Sequence, residues 1–440
     1  MNRMTEFQFK DIMDGFYDGP HATPEPSDEG PVFLGIKNIH ENGGIDFSNI
    51  RHISEKEFPQ WTKRVVPQQN DIVFSYEATL HRYALIPEGF RGCLGRRMAL
   101  IRVNKSVVNE KYLYHYFLSP TWRAFIETVK ISGATVDRIS ISDFPNYKIS
   151  LPPLHIQQKI ASILSAYDEL IENNKQRIKL LEEMAEEIYK EWFVRLRFPN
   201  YENTEFVDGL PKGWENGSIG SLYNVKSGFA FKSEDFGEIG YPIIKIRNID
   251  NLEVDTINCD RYSGEINDRI KKFEIQNGDL LVAMTGATIG KVALFYTQNE
   301  PYYLNQRVGK FFNKSKVAFN QAFIYQFTKT DDFKSSVNNF ALGAAQPNIS
   351  GEQIENIKLL IPHSEVLASF SKLVGIMIDE IFILKSKNQL LQQTRDLLLP
   401  RLISGKLSVE GLAEAKEYVL EQNAEQWPMA AETEGEYHHS

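Results

Sequence analysis

The chain has 440 residues, of which 42% are hydrophobic and 24% charged, with a formal net charge of −9. That length exceeds one ordinary core and predicts two to three domains at about 150 residues each. No run of about 18 uncharged apolar residues offers a membrane span, the start MNRMTEFQFKDIMDG lacks the apolar core of a secretion signal, and Cys93 and Cys259 lie far apart, so a reduced cytoplasmic protein is expected.

A negative sum argues against a nucleic-acid partner, because phosphate binding needs positive charge at the contacts. The distribution reverses that argument. From Val409 onward there are eight acids (Glu410, Glu414, Glu417, Glu421, Glu425, Glu432, Glu434, Glu436) against Lys416, which is −7 of the total −9. By contrast, Gly89 to Lys105 holds Arg91, Arg96, Arg97, Arg102 and Lys105 with no acid, and Pro301 to Thr330 holds Arg307, Lys310, Lys314, Lys316 and Lys329 with none. Local basic surfaces are compatible with an acidic chain.

In chain order, residues 1–153 carry short β-rich runs, PVFLGIKNI (31–39) and DIVFS (71–75), punctuated by Gly, Pro and Asn as strands joined by turns. After Pro152-Pro153 a helix is predicted over 154–198: Ile156, Ile160, Ile163, Tyr167, Leu170, Ile178, Leu181, Ala185, Ile188 and Trp192 fall mostly three or four apart until Pro199. Residues 199–362 return to the β-rich texture, with YPIIKIRNI (241–249) and DLLVAM (279–284). A second helix is predicted over 363–407, with Val366, Phe370, Leu373, Met377, Ile381, Leu384, Leu391, Arg395 and Leu398 on one face and Pro400 as its stop. An acidic tail, 408–440, closes the chain. Helices of about 36 to 40 residues span about 55 to 60 Å, and a spacing near 3.5 predicts pairing as a coiled coil. Asn174 and Asn388 interrupt the seam, either as register-setting polar residues or as side chains facing solvent.

The chain is also written twice, at an offset of about 210 residues. Ile36-Lys37-Asn38-Ile39 recurs as Ile246-Arg247-Asn248-Ile249, Asn70-Asp71-Ile72-Val73 as Gly278-Asp279-Leu280-Leu281, Ser132-Gly133-Ala134-Thr135 with Ile139-Ser140 as Leu342-Gly343-Ala344-Ala345 with Ile349-Ser350, and ISLP (149–152) as LLIP (359–362). A period this long implies two copies of a domain, not a solenoid.

These elements, in this order, resemble the specificity subunits of type I restriction-modification systems over about residues 10 to 407. The resemblance is carried by Asp14-Gly15, His21-Ala22-Thr23-Pro24, Gly30-Pro31-Val32-Phe33-Leu34 and Lys37-Asn38-Ile39 at the start of the first globule. Gly278 to Leu281, Thr285-Gly286-Ala287-Thr288-Ile289-Gly290 and Gln346 to Ser350 carry it in the second. In the helical regions the matching residues are Leu151-Pro152-Pro153 with Gln157-Gln158-Lys159-Ile160, and Leu398 to Gly405. The resemblance implies an α+β chain with a pseudo-twofold internal repeat, in which two mixed α/β target recognition domains are separated by two long antiparallel coiled-coil helices. Each domain reads half of a bipartite site in double-stranded DNA. It further implies two methylation subunits as partners and, through them, two restriction subunits, with S-adenosylmethionine, ATP and Mg on those partners and no cofactor on this chain. A helix pair of about 55 Å exceeds one DNA turn of about 34 Å, enough to hold two readers on successive major grooves.

For DNA contact the candidates are Arg91, Arg96 and Arg97 in the first globule and Lys245, Arg247, Lys271, Lys272 and Arg307 in the second. Arginine bridges two acceptors of a guanine edge, and either cation neutralises phosphate; the bland alternative for each is a solvated surface charge. Lys37 and Arg102 fall in strand-like runs and could face either way. Thr285 to Val292 lacks the G-x-x-x-x-G-K-[ST] of a phosphate-binding loop, since three residues separate its glycines and Val292 replaces the hydroxyl. It reads instead as a turn between strands, with Thr285 and Gly286 approaching the DNA backbone. There is no C-x-x-C or H-E-x-x-H metal spacing, and no Asn/Asp-Pro-Pro-Tyr/Phe methyltransferase signature or common nuclease signature. His438-His439 in the tail is incidental. A reader without catalysis is therefore expected; the competing readings are a fused or degenerate DNA methyltransferase or nuclease, and a structural coiled-coil adaptor.

Overall fold

A computed structural model describes residues 4–133, 136–250, 252–297, 300–314, 321–341 and 348–410. The acidic tail beyond Glu410, the His438-His439 pair, and Ala134-Thr135 and Leu342 to Pro347 of the repeat and family matches lie outside the described residues. The chain falls into two compact units, one formed by the residues up to Asn173 with those from Asn388 onward, the other by Asn174–Lys387.

In the first unit, β1 (Met13–Asp18), β3 (Ile72–Ser75), β4 (Tyr83–Leu85) and β6 (Met98–Val103) form an antiparallel sheet in the order β1-β6-β3-β4. Every residue of β3 is buried, as its β-branched and aromatic run IVFS favours for a central strand. Beside this sheet β2 (Ser27–Leu34) runs parallel to β5 (Gly92–Leu94). Helix α1 (Glu110–Leu118) starts where Asn109 accepts the Tyr112 amide, and α2 (Pro120–Val129) where Ser119 accepts that of Trp122. Phe9, Phe74, Phe117, Trp122 and Phe144 pack against one another in the core, mostly as tilted rings, and Trp122 Nε1 donates to the Tyr83 hydroxyl at 2.9 Å. The outer strand Thr5–Gln8 pairs antiparallel with Lys148–Leu151, so the globule closes its two ends on each other. The first long helix, α3 (Leu154–Tyr189), follows directly.

The second unit repeats the plan. Strands β7 (Tyr223–Ser227), β9 (Leu280–Ala283), β10 (Val292–Leu294) and β12 (Val308–Asn313) form a sheet ordered β7-β12-β9-β10. Again β8 (Tyr241–Ile244) lies parallel to β11 (Tyr302–Leu304), and α4 (Ala322–Lys329) and α5 (Asp331–Ala341) succeed the sheet. Glu215–Ser218 pairs with Lys358–Ile361 as the closing clasp, before the second long helix, α6 (Ser364–Ile403). The molecule is thus α+β with two repeated domains.

The repeated motifs have physical reasons. Asp71 and Asp279 each cap a tight turn, accepting the amides of Gln68 (2.8 Å) and Gln276 (2.7 Å), while Asn70 and Gly278 supply the positive φ of 69° and 88°. Each aspartate also holds a cation of the neighbouring strand: Arg102 in the first unit, Lys310 in the second, both at 2.7 Å. Arg102 is therefore a structural residue. The second motif corrects the sequence expectation. PVFLGIKNI and YPIIKIRNI do not stay extended; the strands end at Leu34 and Ile244, and Ile36–Asn38 and Ile246–Asn248 are single 3-10 turns. The asparagine explains it, because its side-chain oxygen accepts the amide of Gly35 (3.1 Å) or Lys245 (2.9 Å) and bends the backbone.

Within each unit the long helices run antiparallel. In the first, Arg395 reaches Asp168 at 2.5 Å and Asn388 donates to the Ile171 carbonyl at 3.4 Å, with Leu164, Leu399 and Leu402 in the core. In the second, Ile178 and Leu181 pack on Ile381 and Leu384, and Arg177 pairs with Glu380. Asn174 is buried, so the solvent-facing alternative is excluded for it. Two seam positions were phased wrongly: Leu170 is exposed and Ile171 half-buried, because the seam admits the charged Asp168 that an apolar count skips, and Leu373 is exposed beside the fully buried Val374. The expected stops also shift. α3 ends at Tyr189 in a π turn (Lys190–Val194) that lays Trp192 and Phe193 on Phe370, ahead of Pro199. α6 runs through Pro400 to Ile403, because the burial of Leu399, Leu402 and Ile403 outweighs the backbone hydrogen bond the proline forfeits, and Gly405 at φ 70° ends the run.

Candidate nucleic-acid interface

The candidate residues collect where the parallel strands end. In the first unit Gly95, just past β5, donates its amide to Leu34 O at the end of β2 (2.8 Å). In the second, Asn305 donates to Ile244 O (3.0 Å) in the same way. Each pairing sets two turns side by side: 35–38 with 95–97, and 245–248 with 305–307. The first pair carries Lys37, Arg96 and Arg97; the second carries Lys245, Arg247 and Arg307.

The turn after the central strand joins them. Met284 donates its amide to Arg307 O (3.0 Å), as Tyr76 does to Arg97 O (3.1 Å). Gly286–Thr288 is a 3-10 turn between β9 and β10, the strand-turn-strand context expected of it. An added Cβ at Gly286 would meet only Ile246, so its φ of 76°, not crowding, calls for glycine. At the matching site of the first unit Ala78 holds φ 72° without that freedom. Thr285 keeps its hydroxyl shielded, with no hydrogen bond among the described residues.

Electrostatics separate the candidates. Lys245 lies over the Phe236 ring at 3.7 Å and pairs with Asp260 at 2.5 Å, and Arg247 pairs with the same carboxylate. The Lys245 hydrogen bond is the main reason the Asp260 carboxyl is held below its usual range. Arg97 pairs with Glu77 at 3.0 Å. Arg96 and Arg307 are exposed, with no ion pair among the described residues. Lys271 and Lys272 are exposed too, and since Leu304 donates to Phe273 O, Lys272 belongs to the strand end that carries Asn305 to Arg307.

Arg91 stands apart. It precedes β5 instead of following it, binds Glu55 through two hydrogen bonds of 2.5 and 2.6 Å, and lies over Phe58 at 4.6 Å. Lys37 is the converse case: exposed, unpaired among the described residues, and passed over in the sequence because IKNI resembles strand. The signal that finds it is the repeat offset, which aligns it with Arg247. Among the described residues no group of His, Cys, Asp and Glu is arranged to hold a metal, and no helix is long and apolar enough to cross a membrane.

The sequence profile of the type I restriction modification DNA specificity domain matches residues 28–183 and again 211–373. The chain belongs to that family. The two matches coincide with the two repeats, and membership assigns the chain to the DNA-specificity part of type I restriction modification. It is similar to the type I restriction enzyme MjaVIII specificity subunit of Methanocaldococcus jannaschii, with 25% identity over 80% of this chain and 82% of that one. It is also similar to the HindI specificity subunit of Haemophilus influenzae, with 22% identity over 86% and 94%. In three dimensions it matches the S subunit of a type I system from M. genitalium with a TM-score of 0.60 at 17% identity, covering 91% of this chain and 96% of that one. That likeness supports the fold.

Proposed function

We propose that this specificity chain reads a bipartite target in double-stranded DNA, one half-site per repeat, with the turns at the ends of β2/β5 and β8/β11 as the two reading surfaces. The observation that carries the proposal is the recurrence of those turns, with cations on them, in both units. The antiparallel helices α3 and α6 form a coiled coil that sets the spacing between half-sites. The chain has no catalytic centre of its own; it positions two methylation subunits and, through them, two restriction subunits, which bring S-adenosylmethionine, ATP and Mg. Arg96, Arg97, Lys245, Arg247 and Arg307 contact DNA, Thr285 and Gly286 shape the central turn, Lys271 and Lys272 flank it, and Arg91 is a structural ion pair.

Methylome sequencing of a methylation-free host that expresses the chain with its methylation partner tests this: a two-part motif with a fixed unspecified spacer is expected, and one contiguous motif or none overturns it. The purified chain incubated with labelled S-adenosylmethionine and DNA should transfer no label.

A further inference from the structure

We infer that Lys37 and Arg247 are equivalent phosphate anchors, and that the surrounding positions at which the repeats differ, Gly35 against Lys245 and Glu77 against Thr285, give the two half-sites their different base preference. The inference deepens the proposed function and rests on it.

Three observations carry the equivalence. First, the hexapeptides 35–40 and 245–250 share one burial sequence, in which the third residue alone among the first five is exposed and the asparagine after it is buried. The exposed third residue is Lys37 in one and Arg247 in the other. Second, the buried asparagine does more than end the strand. Asn38 accepts the Gly35 amide and donates to the carbonyls of Asp46 and Asn49, at 3.4 and 3.3 Å. Asn248 accepts the Lys245 amide and donates to Asn258 O at 3.2 Å. Each thereby ties the turn to the loop that follows, and the backbone under the cation is fixed before any ligand arrives. Third, both turns face the second cationic turn through the same backbone hydrogen bond between parallel strand ends, so the anchor and its neighbour, Arg97 or Arg307, are held on a common scaffold.

A cation kept at one place in both copies, while its surroundings diverge, suits the part of DNA that is alike everywhere, the backbone. Base edges differ between half-sites, and differing residues must meet them. Around the anchor the two copies are unlike in charge. Gly35 gives no side chain where Lys245 stacks on Phe236 and binds Asp260. Glu77 occupies Arg97 where Thr285 leaves Arg307 unpaired among the described residues. Asn38 and Asn248 act through the turn and are positioning residues.

The test uses the full chain assembled with its methylation subunits, measuring DNA binding against salt concentration together with the methylated motif. Lys37→Ala should weaken cognate and non-cognate DNA by a similar factor, make the slope of log K against log salt shallower by about 1, and leave the motif unchanged. Arg247→Ala should do the same with a smaller loss, because Asp260 already holds that guanidinium. Lys245→Gly or Thr285→Glu should alter the base preference of one half-site only. An unchanged slope for Lys37→Ala, or a changed motif, overturns the anchor assignment; intact motifs in both Lys245→Gly and Thr285→Glu overturn the reader assignment. Lys37 is exposed, so its variant keeps the fold, and a cooperative melt at the parental temperature verifies that. A parental complex that selects no bipartite motif would instead refute the proposed function, before any variant is compared.

Discussion

The two repeats share strand order, turn geometry and an aspartate-held cation, yet they spend their charges differently. In the first, Arg91 is tied to Glu55 and Arg97 to Glu77, leaving Lys37 and Arg96 unpaired among the described residues. In the second, Asp260 draws in both Lys245 and Arg247 and leaves Arg307 unpaired among the described residues. The helices differ as well: the first unit sets Asp168 against Arg395 between them, where the second has Ile178, Ile381 and Leu384. What diverged is the placement of carboxylates around a retained scaffold. Such changes alter what a surface recognises while leaving the buried strands alone.

The comparison can be broken at several points. The largest effect is expected from four residues inserted in α3 near Asn174, which should lengthen the unspecified spacer and leave both half-sites as they are; methylome sequencing reads both. Arg395→Ala strands the Asp168 carboxylate in the first unit, for about 3 kcal/mol by urea unfolding, and the double variant Asp168→Leu/Arg395→Leu should recover most of that loss. Burial, with the Arg395 charge adding to it, pushes the His115 imidazole down to about 3, so in the parent it faces Asp168 uncharged at neutral pH, 3.6 Å away. Asn38→Ala removes the turn's side-chain hydrogen bonds and should cost about 2 kcal/mol, with Asn248→Ala matching it in the second unit. Asp260→Asn releases two cations and should tighten non-specific DNA binding several-fold at low salt, with a steeper salt slope. Because Lys245 depresses the Asp260 pKa, the pair's contribution is complete above the ordinary carboxylate range and is lost only as pH falls through the lowered value. At neutral pH only substitution opens it. Smallest is Ala78→Gly, which should add about 1 kcal/mol by relieving a left-handed alanine that the second repeat replaces with Gly286.

Much of this architecture is legible in the residues because its signals are periodic. The offset near 210 and the heptad-like spacing of 154–198 and 363–407 reveal the duplication and the helices. Arg395 fell on the correct face for the same reason. Its partner escaped because Asp168 is a charge on an otherwise apolar stripe, and that omission moved the local phase onto Leu170. The site was harder to read because ion pairing is non-local. Nothing near Arg91 announces Glu55, 36 residues earlier, and nothing near Lys245 announces Asp260. The turn that exposes Lys37 hides within a β-rich run, since one hydrogen bond from the Gly35 amide to the Asn38 side-chain oxygen outweighs the extended preference of its isoleucines.

The clasp that closes each globule, Thr5–Gln8 on Lys148–Leu151 and Glu215–Ser218 on Lys358–Ile361, has a consequence for domain exchange. A fold whose entry and exit lie on neighbouring strands joins the helical frame at one place, and residues of that frame complete the core beneath it, Leu164, Leu399 and Leu402 in the first unit, Tyr189, Phe370 and Val374 in the second. The joints between globule and frame therefore fall near residues 4, 152, 214 and 362, and under the proposed function a domain exchanged between two of them, onto a frame that supplies the same helical packing residues, changes one half-site and leaves the other intact.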